Sequence, residues 1–592
     1  MSDQLMRYFE RELAYVRKSL TEFSRSNPEQ ANSLKLNQSS NEDPNISRLI
    51  DGMALLTAKT EKKFDEQLPE LLQDLFNILY PGYLQTSPSY APVTLNEDLE
   101  KLAESVFLPK GAQLSAELKG GEECLFSTVS DLQIDPYYIQ HIRAESAPFN
   151  FLTPNNLKQA DSVIQIELSS VSPEMLFNQL NLKHFDFYVR GFENNSKGLI
   201  DLLLLNTEVI SIVSPDGEQI EISPTRLMSR ISDASFQWLP KYGNHISGFD
   251  LLRDYFIYPD KAAYFRIANL GKELASFSSG SLIINFFIKQ LPVEYLRLFD
   301  RRVFSLNTVP AINLFECRGE PITYNFSQLA VPVIAGLEST NETTVVSVEK
   351  VYEVLPTGEI ELSPLYEGGY WFDASQAQWQ TRQTWNEKGQ RKVSLSLSYL
   401  NSSQTQNSVL LSMQLKACNG RLPCLLSTNH PIELLESIEL PGELVLLNTP
   451  TAPQYPNLDN QLNWRFIALL NANFSSLTQS DNPIKVLQES LRMCSPERLC
   501  PQADAIKQVS YLHTVAPMSL HQQSIFASGT VVEIMLDDSM LSGNIAVLGE
   551  VLNLYLKQFC SFDRFIQLRL TRFGNDKASI EFQKTHGSQL CL

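Results

Sequence analysis

The chain has 592 residues, enough for roughly three or four domains with a core each. With 48 Lys and Arg against 67 Asp and Glu its formal charge is -19, so it lacks the basic excess by which a chain binds nucleic acid or an anionic membrane. Its 43% hydrophobic and 10% aromatic content excludes disorder, and eight cysteines dispersed from Cys124 to Cys591 exclude a disulfide framework and point to a reducing compartment.

From the N-terminus the apolar residues Leu5, Phe9, Leu13, Val16, Leu20 and Phe23 follow at steps of three and four, with Arg7, Glu10, Arg11, Arg17 and Lys18 between them. The spacing predicts one helix with one apolar stripe, and nothing in it suits a secretory signal. Such a stripe must be covered, either by later helices of the same chain or by helices of other subunits, and the pattern leaves both open. Leu5, Phe9, Leu13, Val16 and Leu20 are therefore the candidate protein-interaction residues. Asp43 as N-cap and Pro44 in the first turn start a second helix, whose face carries Ile46, Leu49, Ile50, Met53, Leu56 and Phe64. Pro69 is expected to break it ahead of a third helical run, 71–80, that stops at Pro81-Gly82.

After Pro88 the texture changes to short runs rich in β-branched and aromatic residues, punctuated by Pro, Gly and Asn. Strands are expected at 106–108, 163–168, 203–213, 281–288, 343–354, 393–400 and 409–415. The most apolar of these stretches, SLIINFFI at 281–288, and LAVPVIAGL at 329–337 fall well short of the roughly 20 residues that span a bilayer, so no direct membrane insertion is expected. A Pro-rich stretch at 449–456 reads as a linker and a candidate hinge. Beyond it helical patterns (462–470, 484–493, 546–559) alternate with strand-like ones (531–536, 565–570, 578–582). The expected fold class is α+β, with a helical segment at 1–88, β-rich domains at 89–300 and 301–450, and a C-terminal α/β domain at 451–592.

The search for chemistry is negative. There is no phosphate-cradling G-x-x-x-x-G-K-[ST], no G-x-G-x-x-G, no H-E-x-x-H and no G-x-S-x-G, and the seven histidines show no two-ligand helical spacing. The pairs Cys418/Cys424 and Cys494/Cys500 each enclose five residues, more than structural zinc favours, and read as small buried apolar side chains. Asp537-Asp538 reads as a turn rather than an acid/base dyad, and Arg564, Arg569 and Arg572, like Arg301-Arg302, read as ion-pairing groups within the fold or across a protein interface. No catalytic, cofactor-binding or metal-binding residue is expected. The competing class is a β-rich carbohydrate-binding protein or glycoside hydrolase, because Tyr366, Tyr370, Trp371, Trp379 and Trp385 cluster where a sugar ring could stack. An exported effector or adhesin is disfavoured by the missing signal and the free-looking cysteines.

Several stretches then fall into a familiar order: RYFERELAYVR at 7–17, DPNISRLIDG at 43–52, LPEL at 68–71 with LYP at 79–81, LPKG at 108–111, GFDLLRDYFIYP at 248–259, NTVPAINLFE at 307–316, CNGRLP at 418–423 and NWRFI at 463–467. Together they resemble the TssF (VasA, ImpG) family of type VI secretion baseplate proteins over nearly the whole chain. The resemblance implies a structural wedge subunit and no enzyme. Two copies would join one TssG, with TssK and TssE attached, around a VgrG hub beneath the Hcp tube, at a cytoplasmic baseplate docked on the inner membrane of a Gram-negative bacterium. It also implies a second copy of the chain as a neighbour. The Asn313-Leu314-Phe315 turn is expected to pack within the chain, because apolar residues flank it on both sides.

Overall fold

The computed structural model describes residues 3–28, 44–95, 102, 104–172, 174–192, 196–239, 241, 247–336, 343–365, 377–385, 391–399, 408–440, 442–456, 460–470, 482–497, 499–520, 523–541 and 544–587. Its internal contacts separate two units, one of residues 1–78 with 458–465 and one of residues 79–457 with 466–592. The fold is α+β, helical at the N-terminus and β-rich beyond it.

The first unit is built on two long helices, α1 (Asp3–Ser26) and α2 (Pro44–Leu79). Pro44 stands at the start of α2 as expected, while its proposed cap Asp43 lies outside the described residues. The break expected at Pro69 does not occur: α2 runs through it to Leu79, and the third helix is the last part of the second. Proline deletes one hydrogen bond to the preceding turn, a loss that a 36-residue helix with intact turns on both sides absorbs.

The second unit is organised around a closed six-stranded barrel of Tyr90–Leu95, Gln113–Glu117, Glu123–Thr128, Thr308–Ile312, Pro431–Leu434 and Leu444–Leu446. Val93, Leu114, Phe126, Val309, Ala311 and Leu446 fill its interior, each at or below one per cent exposure. Two long excursions leave the barrel and return to it. The first, between Thr128 and Thr308, forms a five-stranded sheet centred on Ser281–Ile288 and a four-stranded sheet centred on Phe185–Val189 and Tyr264–Ile267, and carries α3 (Ser196–Asn206) and α4 (Ser247–Ile257). The expected strand at 203–213 begins in a helix: the run Leu202 to Leu205, unbranched at Cβ, helps complete α3, and the strand begins at Thr207 where β-branched residues take over. The second excursion, between Ile312 and Pro431, forms an eight-stranded sheet in which Val409–Cys418 pairs with Phe315–Arg318, Ile322–Tyr324 and Thr344–Leu355. The bridge between Gly319 and Ala335 draws the two ends of that sheet together.

After α5 (Asn460–Leu470) and α6 (Pro483–Cys494) a final sheet takes Ile506–Leu520, Gln523–Leu536, Phe565–Arg572, Asn575–Glu581 and Thr585–His586. Gln523–Leu536 and Phe565–Arg572 are parallel, joined by α7 (Ile545–Lys557), as an α/β ending requires. The Pro-rich 449–456 segment is no free hinge. Gln454 and Ser87 exchange backbone hydrogen bonds at 2.8 and 2.9 Å, and Thr451 N–H donates to the Tyr90 carbonyl at 3.0 Å.

Candidate protein interface

Every residue of the N-terminal stripe lies on α1. Leu5, Phe9, Leu13, Val16 and Leu20 are half-buried, neither sealed in a core nor free. Met6 and Phe9 border Asp51, Gly52 and Leu55 of α2 around a groove of about 260 Å³, and the Arg11 guanidinium pairs with Glu61 further along. On α2, Ala54 and Ala58, one turn apart, are fully buried.

Among its described side chains the second helix thus has a buried apolar stripe and an exposed one. Leu49, Met53 and Leu56, spaced i, i+4, i+7, are 65%, 55% and 67% exposed. Tyr15 on α1 is 70% exposed, and Met6, Phe23, Leu71 and Ile78 are also exposed. These large apolar residues repeat at helical spacing and form a continuous stripe rather than scattered exposure.

The family-like stretch 248–259 does the opposite. It is α4 with the turn after it, and its polar groups point inward among partners. Asp250 accepts the Tyr80 hydroxyl, and Arg253 donates to the Gly82 carbonyl at 3.0 Å while its guanidinium lies 5.3 and 5.5 Å from the Tyr83 and Tyr80 ring centres. Asp254, wholly buried, pairs with Lys261, at 1% exposure, and accepts backbone N–H groups of Trp238 and Leu239 at 3.3 and 3.1 Å. Burial pushes the Tyr80 hydroxyl far above its ordinary range, so it acts as a donor and not as a base. Nearby, burial would raise Asp186, but a bidentate bond from Arg266 (2.6 and 2.7 Å) with Arg230 at 3.3 Å overcomes it and holds the carboxyl below its usual range. These groups pair their charges with one another, and the pattern is that of a structural network.

Two further family-like stretches meet in space. Asn313 and Asn419 bond to each other, Nδ2 of Asn313 reaching Oδ1 of Asn419 at 2.8 Å and Asn419 N–H reaching Oδ1 of Asn313 at 2.8 Å, and both tie to Leu125. The Asn313 turn therefore packs within the chain, as expected.

Trp379 is buried with its indole N–H donating to the Leu362 carbonyl at 2.9 Å, so its face offers no sugar platform. Tyr366, Tyr370 and Trp371 lie outside the described residues, as does the side chain of Trp385. Arg569 pairs with Glu533 and Glu581, and Arg572 with Asp538, all within the fold. Asp537 caps the turn at Ser539. Burial pushes the Cys494 thiol up to about 12. Among the described residues no group of three or more His, Cys, Asp and Glu is placed to hold a metal ion, and no helix is long and apolar enough to cross a membrane.

The chain matches the family model described as "Type VI secretion system, TssF" over residues 1–589. It belongs to the TssF family. A TssF relative, type VI secretion system component TssF1 of Pseudomonas aeruginosa, is 23% identical over 618 aligned positions covering all of both chains. The fold is shared with a chain of the type VI secretion TssK-TssF-TssG baseplate subcomplex determined by cryo-electron microscopy, at TM-score 0.72 and 22% identity over 92% of this chain and 99% of that one. A chain of the type VI secretion baseplate complex aligns at TM-score 0.55 and 19% identity over 99% and 100%. In this TssF chain the family-like stretches thus divide between open helices and sealed internal networks. The networks escaped the sequence reading, although an acid and a base at 250 and 253, with an acid at 254, inside an apolar helix were the available signal.

Proposed function

We propose that the chain is a structural wedge subunit of a type VI secretion baseplate, acting through interfaces and not through catalysis. The observation that carries this is the helical unit of a TssF-family chain with one stripe half-covered and a second, on α2, left open. The proposed partners are TssG, with two copies of this chain to each TssG, TssK and TssE, around the VgrG hub and below the Hcp tube, at a cytoplasmic baseplate docked on the inner membrane. Leu5, Phe9, Leu13, Val16 and Leu20, with Leu49, Met53 and Leu56, would form the chain's part of an intersubunit helix bundle. Such a subunit holds the sheath extended through packed interfaces, and a rearrangement of the wedge ring releases contraction.

The test is native mass spectrometry of the chain co-expressed with TssG, as wild type, without residues 1–25 and as Leu13→Glu. A buried, unpaired carboxylate costs several kcal/mol, so the reading expects a two-to-one complex lost in both variants while the chain itself stays folded. Complexes that survive both changes contradict it.

A further inference from the structure

The second unit contains a cleft of about 1290 Å³ whose rim carries Arg190, Arg301 and Arg302. Small-molecule sites usually enclose roughly 300–1,000 Å³, so this one is of a size for a stretch of polypeptide. Phe192, Val303, Phe304 and Leu447 of its lining are buried, while the arginines are exposed. Three positive charges gathered in a chain of net charge -19 are an exception to the composition. The described structure does not neutralise all of them. Arg190 donates to an uncharged amide, Asn429 Oδ1, at 3.2 Å, and the Arg302 side chain has no carboxylate partner among the described residues. The Arg301 guanidinium lies 5.9 Å from the centre of the Tyr138 ring. Asp300, the acid in the lining, is turned to its own loop, where it accepts the Arg302 backbone N–H at 2.7 Å.

We infer that this cleft docks an acidic segment of a partner protein, with carboxylates seated on Arg190 and Arg302. Guanidinium forks match carboxylates in two-point geometry, and a segment carrying several carboxylates can engage more than one of them. A polyanion such as nucleic acid would meet repulsion from the rest of the chain, which a short acidic segment largely avoids. The inference does not depend on which assembly the chain joins.

The experiment uses the full chain and a fluorescent dodecapeptide of alternating Glu and Leu, with a Gln-for-Glu copy as control, read by polarisation. Binding of the Glu peptide, weakened about tenfold or more by Arg302→Glu and again by Arg190→Glu, with weak binding of the Gln copy, is the expected result. Both arginines have exposed side chains, so an unchanged melting temperature confirms that the variants fold. Equal binding of the two peptides, or indifference to both substitutions, overturns the inference. So does displacement by millimolar inorganic phosphate, which would make this a small-anion site. Glu97, Asp98 and Glu100 follow Leu95 of the cleft in the sequence, and tighter peptide binding after their change to Gln, Asn and Gln would assign the arginines to the chain's own acids and overturn it as well.

Discussion

Two regions that carry equally family-like sequence behave in opposite ways. In α4 and its surroundings every charged group of the Asp250, Arg253 and Asp254 set is buried and answered by a partner inside the chain. In the helical unit most of the described charged groups are exposed, Glu12 being a buried exception, and large apolar residues such as Leu49 and Leu56 are left in water. A buried charge without a partner costs several kcal/mol, so a motif of the first kind protects the fold. An exposed apolar stripe does nothing for an isolated chain and serves only when something covers it. The contrast separates what builds the subunit from what the subunit builds.

The largest effect should come from breaking the internal region. Lys261→Ala leaves the Asp254 carboxylate buried and unpaired, and denaturant titration should show a loss of about 3–5 kcal/mol. A loss below about 1 kcal/mol would mean that the network is not the scaffold described here. Next comes the asparagine pair: Asn419→Ala should cost about 1–3 kcal/mol, and a double-mutant cycle with Asn313→Ala should show coupling, because each loses the other's bond.

A smaller effect is set by pH. Asp201 sits at the N-terminus of α7, accepting the N–H groups of Ile545 and Ala546, yet burial raises its carboxyl from 3.8 to about 6. The folded chain then holds this proton more tightly than the unfolded one. Its contribution to stability is complete below 3.8 and is lost as pH rises through about 6. Unfolding curves of wild type and Asp201→Asn should differ in slope across that window and run parallel above it. The smallest effect on the isolated chain belongs to the helical unit: Leu49→Ser with Leu56→Ser should change stability by no more than about 0.5 kcal/mol per site, while weakening assembly with TssG by far more.

The same contrast explains what could be read from sequence. Helical stripes repeat within a few residues, so α1 and the start of α2 were legible from spacing alone, as was the strand Ser281–Ile288. Which of the two stripes on α2 is covered was not legible, because both are apolar and the pattern does not record a neighbour. The barrel could not be seen either: Thr94 and Thr308, bonded between two of its neighbouring strands, stand 214 residues apart, and Leu125 and Asn419 stand 294 apart. The sugar reading arose because Trp379 looks the same in sequence whether its face is open or, as found, buried. Pro69 misled for a related reason. A proline signals a lost hydrogen bond, and whether a helix survives that loss depends on the turns around it.

The central claim is that the apolar faces of α1 and α2 are interfaces. Amide hydrogen exchange on the chain alone and in complex with TssG tests it most directly. Protection gained within 3–26 and 44–79, with little change around Asp254 and Asn313, is the predicted result. Unchanged exchange in both helices when the complex has formed would contradict it.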